Sequence, residues 1–206
     1  MNTPYNSEIP TRSWVKNRRN YVGGSEVAAI LGESSYTTPL QVWMKKNGLV
    51  EPEGNTPITA FGHVFEPIMA DHFEDSTGLK TRRVNTPFDH NEHDFLRANI
   101  DRQILNSEGN IDGTGVLELK TTNSYRLKAL DNTYPNSWDY QVQWYLGLTG
   151  YTYAYLFIYE RDTAEFYEPI YIERNDELIE ELQRRVTDWW QKHIIEGKKP
   201  EPQNEE

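Results

Sequence analysis

The run Val116-Leu117-Glu118-Leu119-Lys120 sets an acid and a lysine between apolar residues at alternate positions. On a strand, alternate side chains share a face, so Glu118 and Lys120 project together, roughly 7 Å apart at about 3.3 Å per residue. Leu117 and Leu119 point the opposite way, toward a core. An acid and a lysine on a strand with a buried face cost desolvation energy unless something uses them. Upstream, Asp101 follows the strand-like Phe95–Ile100 segment. The intervening stretch contains the turn-like Ser107-Glu108-Gly109-Asn110 and is long enough to return Asp101 beside Glu118 as a hairpin partner. Two converging carboxylates form a hard-oxygen site suited to Mg²⁺, with Mn²⁺ able to substitute. Such an ion lowers the pKa of a water and neutralises charge on a phosphodiester in its transition state. Lys120 would orient or deprotonate that water, or stabilise the pentacovalent phosphate.

The acid-x-Lys triplet is uninformative alone, because Glu196-Gly197-Lys198 repeats it. That copy falls at a helix end and reads as solvated surface. Taken by itself the Glu118/Lys120 pair reads equally well as a surface ion pair. The apolar flanks and the placement of Asp101 favour chemistry. Glu66, beside Pro67 on an otherwise apolar helical stretch, in isolation reads as a flank charge on an amphipathic helix.

The elements that must hold these residues change period along the chain. Ser25 is expected to cap a helix Glu26–Leu31. Thr38-Pro39 opens a second helix that ends near Gly48. From Ile58 to Thr77, Phe61, Phe65, Ile68/Met69 and His72/Phe73 recur at helical spacing, with Pro67 expected to kink or break it. Strands are expected over Lys80–Phe88, Phe95–Ile100, Gln103–Leu105 and Gly115–Thr121. A helix over Ser137–Leu148, strands Tyr151–Tyr159 and Glu165–Glu173, and a helix Asp176–Ile195 follow. The expectation is one α/β (α+β) domain over residues 1–199 with a mixed central sheet flanked by helices, then a polar tail at 200–206.

Composition bounds the partners. With 36% hydrophobic and 26% charged residues the 206-residue chain is globular, and with no Cys it excludes disulfides, thiolate zinc and iron–sulfur clusters. No segment resembles a signal peptide or a bilayer span, so a soluble protein of a reducing compartment is expected, with no membrane partner. The net charge of −11 argues against nucleic acid, but residues 131–206 carry 16 acidic against 7 basic side chains, and residues 1–130 carry 16 against 14. The acid excess therefore lies mostly in the C-terminal third. A bound divalent ion would further reverse the local field.

Asp101, Glu118-x-Lys120 and then Gln141-Val142-Gln143-Trp144-Tyr145 resemble the PD-(D/E)xK nuclease superfamily, and more narrowly the YqaJ-type viral recombinase and lambda exonuclease family. Trp14-Val15-Lys16-Asn17-Arg18, Gly23-Gly24-Ser25-Glu26 through Gly32, Tyr36-x-x-Pro39, Trp43 and Gly62-His63-x-x-Glu66-Pro67 extend the resemblance in family order. It implies a restriction-endonuclease-like core with the metal site at one sheet edge. It makes Asp101, Glu118 and the Leu119 carbonyl metal ligands, Lys120 the catalytic lysine, and Glu66 the helical acid that shapes the site. Gln141 becomes the glutamine that fixes the site, with Tyr145 completing a Gln-x-x-x-Tyr pattern. Arg18 and Ser25 fall where lambda-type enzymes bind a 5′-terminal phosphate, a role that suits a guanidinium fork and a helix N-terminus. Asn99 stands where the family often has serine in that phosphate pocket, and Arg102 where it often has glycine, which makes Arg102 a candidate DNA contact.

The resemblance implies a magnesium-dependent exonuclease acting 5′ to 3′ on double-stranded DNA ends. It would expose single strands for an annealing protein in phage-type recombination, in the cytoplasm of a bacterial host. A ring trimer, as in lambda-type enzymes, would let an acidic exterior coexist with a more basic channel. An endonuclease or a 3′-directed exonuclease on the same fold, and a non-catalytic DNA-end-binding protein, are the alternatives. Tyr151, Tyr153, Tyr155, Phe157 and Tyr159 read as a packed aromatic sheet face rather than a base-stacking platform. Trp189 and Trp190 read as a core or subunit contact, and the five His show no metal-ligand spacing.

Overall fold

The computed structural model describes residues 18–50, 56–105, 114–128 and 134–203. After a 3-10 turn at Arg18–Asn20 come helices α1 (Gly24–Ile30), α2 (Pro39–Lys46) and α3 (Pro57–Thr77). Strands β1 (Lys80–Arg83), β2 (Phe88–Asp89), β3 (Arg97–Ala98), β4 (Arg102–Leu105) and β5 (Gly115–Thr122) follow. Helices α4 (Ser124–Lys128) and α5 (Asn136–Thr149), strands β6 (Tyr153–Glu160), β7 (Glu165–Phe166) and β8 (Ile170–Glu173), and helix α6 (Asp176–Trp190) complete the order. A π-helical turn at Gln191–Ile195 extends α6.

The main sheet runs β1-β4-β5-β6-β7, with β8 also pairing β6, and β2-β3 form a separate ribbon. Only β5 and β6 are parallel within it; the other pairings are antiparallel. The sheet is therefore mixed, as expected, and helices cover both faces. One face carries Ile104, Leu117 and Phe157 against Met69 and Phe73 of α3. The other carries Val116, Ala154, Leu156 and Ile158 against Val142 and Leu146 of α5, with α1 and α6 closing that core.

The period-2 reading of β5 holds: Leu117 is fully buried toward α3, while Glu118 is buried on the α5 side. The aromatic face of β6 is packed as expected. Phe73 meets Tyr155 and Phe157 edge-on at 5.5 and 5.7 Å, and Phe65 lies 4.4 Å from Tyr159. Tyr151 departs from this pattern: it precedes the strand and joins the α5-side core. Trp189 and Trp190 are buried, and Trp190 stacks on Phe95 at 4.9 Å.

Several boundaries differ from the expectation. Helix α3 runs unbroken through Pro67. Pro67 removes only the bond to the His63 carbonyl, and His63 is exposed, so water can take that acceptor. Phe65, Met69 and Phe73 pack, but Phe61 and Ile68 of the same apolar pattern are exposed. Gly23, not Ser25, precedes the first helical residue of α1. The Glu26 carboxylate accepts from the Gly23 N–H at 3.1 Å, so an acid in the first turn satisfies the helix start and frees the Ser25 hydroxyl. The strand expected over 165–173 divides into β7 and β8. Near the chain end Pro200 is buried and the Gln203 amide reaches the Gly32 carbonyl at 3.5 Å, so the described part of the polar tail touches the protein at these two residues. The turn at 107–110 and the residues Trp14–Asn17 lie outside the described residues.

Candidate active site

The ladder between β4 and β5 ends at Arg102 opposite Leu117. Asp101 therefore stands one position beyond the last pair, level with Glu118. There its Oδ2 takes the place of a strand partner, accepting the Leu119 N–H at 3.0 Å. In a strand the N–H and C=O of one residue point to the same side. The Leu119 carbonyl is thus directed to the Asp101 side, where β4 no longer covers it.

Glu118 is 1% exposed, and its two oxygens differ in their surroundings. Oε1 receives Lys120 Nζ at 2.6 Å and Gln141 Nε2 at 2.8 Å. Oε2 is buried without a hydrogen-bond partner among the described residues. Gln141, on α5, also accepts from Lys120 Nζ at 2.9 Å and donates to the Tyr145 hydroxyl at 2.8 Å. Gln141 and Tyr145 are one helical turn apart and so share a face. Burial, and then the Asp101 charge, push the Glu118 carboxyl up to about 8 despite the opposing Lys120 ammonium. Burial raises the Tyr145 phenol too, helped by the Glu118 and Asp101 charges.

Helix α1 approaches this network closely because Gly24 lacks a side chain: a Cβ there would lie 2.6 Å from the Tyr145 ring and 3.1 Å from Gln141 Cγ. That contact sets Ser25 and Arg18 beside the site, with Arg18 Nη2 donating to Ser25 Oγ at 3.1 Å. On the far side, α3 turns Ile58, Gly62 and Glu66 inward at four-residue intervals, while Phe65, Met69 and Phe73 hold its other stripe in the core. The result is an open cleft of about 460 Å³ lined by Arg18, Ser25, Glu66, Asn99, Asp101, Glu118, Leu119, Lys120, Gln141 and Tyr145.

All but one of the residues singled out in the sequence thus meet in one cleft. The exception is Arg102: its guanidinium turns to Thr81 Oγ1, 3.4 Å away on β1, and it does not line the cleft. The second acid-x-Lys copy, Glu196 with Lys198, is an exposed ion pair at 2.9 Å, as read from the sequence.

The donors suit a divalent cation in part. A buried carboxylate oxygen with no partner among the described residues, a second carboxylate and a backbone carbonyl directed to the same side are hard-oxygen ligands. A cation beside Glu118 would favour the ionised form that burial opposes. Among the described residues no three His, Cys, Asp or Glu side chains come close enough to form a site by themselves. Glu66 shares the cleft without completing such a trio.

Some contributors escaped the sequence reading. Lys46 is buried and donates to the Arg18 carbonyl at 2.7 Å, to the Tyr21 carbonyl, and to Glu26 Oε2 at 2.8 Å. Its spacing from Val42, the other buried residue of α2, was the available signal. A second cleft of about 440 Å³ adjoins the first and shares Arg18, Ser25, Lys120 and Gln141 with it. Trp138 and Arg126 line it, and neither lies in a motif that drew attention.

The sheet order, the flanking helices and the carboxylate–lysine cleft at the end of the β4–β5 ladder define a PD-(D/E)xK core. The fold is shared with an alkaline exonuclease, LHK-Exo, of Laribacter hongkongensis (TM-score 0.70, 20% identity, 90% of this chain and 94% of that one). It is shared also with a phage-related exonuclease of Haemophilus somnus 129PT (TM-score 0.63, 15% identity, 86% and 96% covered). Residues 13–152 match the model of the YqaJ-like viral recombinase domain, and the chain belongs to that family. YqaJ of Bacillus subtilis strain 168 is 35% identical over 199 residues, which is 95% of this chain and 60% of that protein. The chain thus spans about three-fifths of that relative's length.

Proposed function

We propose that the protein is a divalent-metal-dependent deoxyribonuclease that removes nucleotides from double-stranded DNA ends, 5′ to 3′. The observation that carries the reading is Glu118: Lys120 and Gln141 saturate one oxygen, the other is buried with no hydrogen-bond donor among the described residues, and the carboxyl feels the Asp101 charge. Asp101, Glu118 and the Leu119 carbonyl would hold Mg²⁺, or Mn²⁺ in its place, with Glu66 shaping the site. A bound ion would supply an acidified water and charge neutralisation at the scissile phosphate.

The chain's own side chains do the rest. Gln141 fixes Glu118 and Lys120 together, and Tyr145 fixes Gln141. Lys120 is thereby held in the cleft, able to orient the attacking water and to offset charge on the phosphorane. Arg18 and Ser25, already hydrogen-bonded to one another, present a guanidinium and a hydroxyl to a 5′-terminal phosphate, with Asn99 nearby. The family and the resemblance support the 5′ polarity, a single-strand annealing partner and a ring trimer, in the cytoplasm of a bacterial host, with residues 1–199 acting as one nuclease domain. No helix of the described residues is long and apolar enough to cross a membrane.

End-labelled duplexes carrying 5′-phosphate or 5′-hydroxyl ends, incubated with Mg²⁺ or EDTA, test the reading. Release of nucleotides from the 5′ end in Mg²⁺ alone is expected. Metal-independent cleavage or no cleavage would overturn the enzyme assignment, and release from the 3′ end the polarity.

A further inference from the structure

The second cleft has features that the nuclease chemistry leaves unexplained. It lies on the far side of Arg18 and Lys120 from the carboxylates, between α1, α2, α4 and the start of α5. Six basic side chains line it: Arg18, Arg19, Lys45, Lys46, Lys120 and Arg126. Glu26 is the one acid of the lining, and it is paired with Lys46 at 2.8 Å and approached by Arg18 at 3.8 Å. In a chain of net charge −11 such a cleft concentrates positive potential where the surface as a whole repels anions.

Its wall brings an arginine and two aromatic rings together. The Arg126 guanidinium lies 4.9 Å from the Trp138 ring and 4.7 Å from the Tyr36 ring. Among the described residues no carboxylate pairs with Arg126. Trp138 is buried, so it serves as a support, whereas Tyr36 is 66% exposed. Two rings within cation–π reach restrain the guanidinium, whose N–H groups make the planar fork with which arginine takes phosphate. An exposed tyrosine ring beside it offers a stacking face for an unpaired base. The cleft volume of about 440 Å³ lies within the roughly 300–1,000 Å³ of sites that take nucleotide-sized ligands.

We infer that this cleft is a second nucleic-acid subsite, taking an unpaired nucleotide of the attacked strand with its phosphate on Arg126 and its base on Tyr36. The inference rests on the nuclease reading for the identity of the strand. It adds residues and a ligand that the catalytic cleft does not require. Because Arg18 and Lys120 face both clefts, a strand can pass from one to the other over the same two cations.

The test is binding of a short 5′-phosphorylated single-stranded oligodeoxynucleotide to the full chain in EDTA, read by fluorescence anisotropy as salt is varied. Tyr36→Ala should weaken binding about 10-fold, and Tyr36→Phe should restore it, because stacking needs the ring and not the hydroxyl. Arg126→Met should weaken binding by a similar factor and lower the salt slope by about one. An oligonucleotide made abasic throughout should lose the Tyr36 dependence and keep the Arg126 dependence. In Mg²⁺, both variants should raise KM for duplex ends and leave kcat within about twofold. Unchanged affinity and salt slope in both variants, with their melting temperatures intact, would overturn the subsite. So would a Tyr36 effect that persists on the abasic strand. Wild-type protein that binds with this variant dependence yet never cleaves would instead reject the nuclease reading and leave the subsite standing.

Discussion

Gln141 donates to Glu118 Oε1 at 2.8 Å, leaving Oε2 of the same carboxylate as the buried atom without a protein partner. The glutamine thereby decides which carboxylate oxygen is left without a hydrogen-bond donor among the described residues. Through its own carbonyl it also holds Lys120 at 2.9 Å. Replacing it with Leu removes both constraints at similar volume. Groups that orient a metal ligand from behind typically contribute 10- to 100-fold. Gln141→Leu should therefore lower kcat and Mn²⁺ affinity by about that range. Calorimetric Mn²⁺ titration checks it, and unaltered affinity would show that the amide merely fills space.

The two acid-x-Lys copies give an internal control. Lys120 is 19% exposed and shared between Glu118 and Gln141, whereas Lys198 is 64% exposed and, among the described residues, pairs through its side-chain nitrogen only with Glu196. Lys120→Ala is expected to cut the cleavage rate by 10²-fold or more, the scale of losing a positioned proton-transfer or charge-stabilising group. Lys198→Ala should leave the rate unchanged and stability within about 0.5 kcal/mol. Equal effects of the two substitutions on initial rates would remove the site assignment.

This contrast shows what the sequence made legible. Glu118, Lys120 and Asp101 were readable because strand periodicity and hairpin return act over short distances along the chain. Glu66, Gln141 and Tyr145 were placed by family resemblance, since nothing local says which helix faces which strand. Lys46 and Gly24 act through long-range packing: the one reaches 28 residues back to the Arg18 carbonyl, the other meets a tyrosine 121 positions on. Arg102 stands outside the cleft because the residue after Asp101 turns to the opposite sheet face, a consequence of the same alternation that located Glu118. Pro67 was read as a kink or a break because the sequence does not reveal that the carbonyl it orphans belongs to an exposed residue.

Gly24 itself makes a steric prediction. A methyl group there would meet the Tyr145 ring at 2.6 Å and Gln141 Cγ at 3.1 Å, and both side chains are buried and hydrogen-bonded to one another. Neither can swing away at low cost, so α1 must shift. Gly24→Ala should destabilise by about 1–3 kcal/mol, the usual cost of overpacking. It should also lower cleavage, since the shift propagates to Ser25 and Gln141. Urea denaturation with a parallel rate assay measures both, and a variant of unchanged stability and rate would contradict the close approach.

Glu118 links the site to pH. Its folded-state pKa of about 8 lies above the ordinary carboxyl value, mainly through burial and the Asp101 charge. Folding therefore favours the protonated form, and the associated stability is fully present below about pH 4.5 and lost as pH rises through about 8. In EDTA the wild-type melting temperature should fall relative to Glu118→Gln across that window, by the equivalent of a few kcal/mol at its alkaline end. Divalent cation should close the gap by stabilising only the ionised wild type. Parallel pH dependence of the two proteins in EDTA would mean that Glu118 is not held away from ionisation.

The last expectation concerns Lys46, which touches no carboxylate of the catalytic cleft yet holds the Arg18 turn. Its ammonium bonds the backbone carbonyls of Arg18 and Tyr21 and the Glu26 carboxylate, and burial lowers its pKa against the opposing pull of Glu26. Lys46→Met keeps the volume but removes the donor of one buried and two partly buried hydrogen bonds, at a cost of up to about 3 kcal/mol, the lower end for breaking a buried pair by removing one partner. The functional consequence is more specific than the loss of stability. With the turn released, Arg18 no longer holds a fixed position beside Ser25. Discrimination between 5′-phosphate and 5′-hydroxyl ends should then fall toward that of Arg18→Ala, while cleavage of hydroxyl ends changes little. Glu26→Gln, which retains an acceptor for Lys46, should preserve most of the discrimination and separates positioning from global destabilisation. Rates on the two end types, measured well below each variant's melting temperature, provide the check. Full phosphate discrimination in a folded Lys46→Met variant would mean that the Arg18 guanidinium is positioned without the buried lysine.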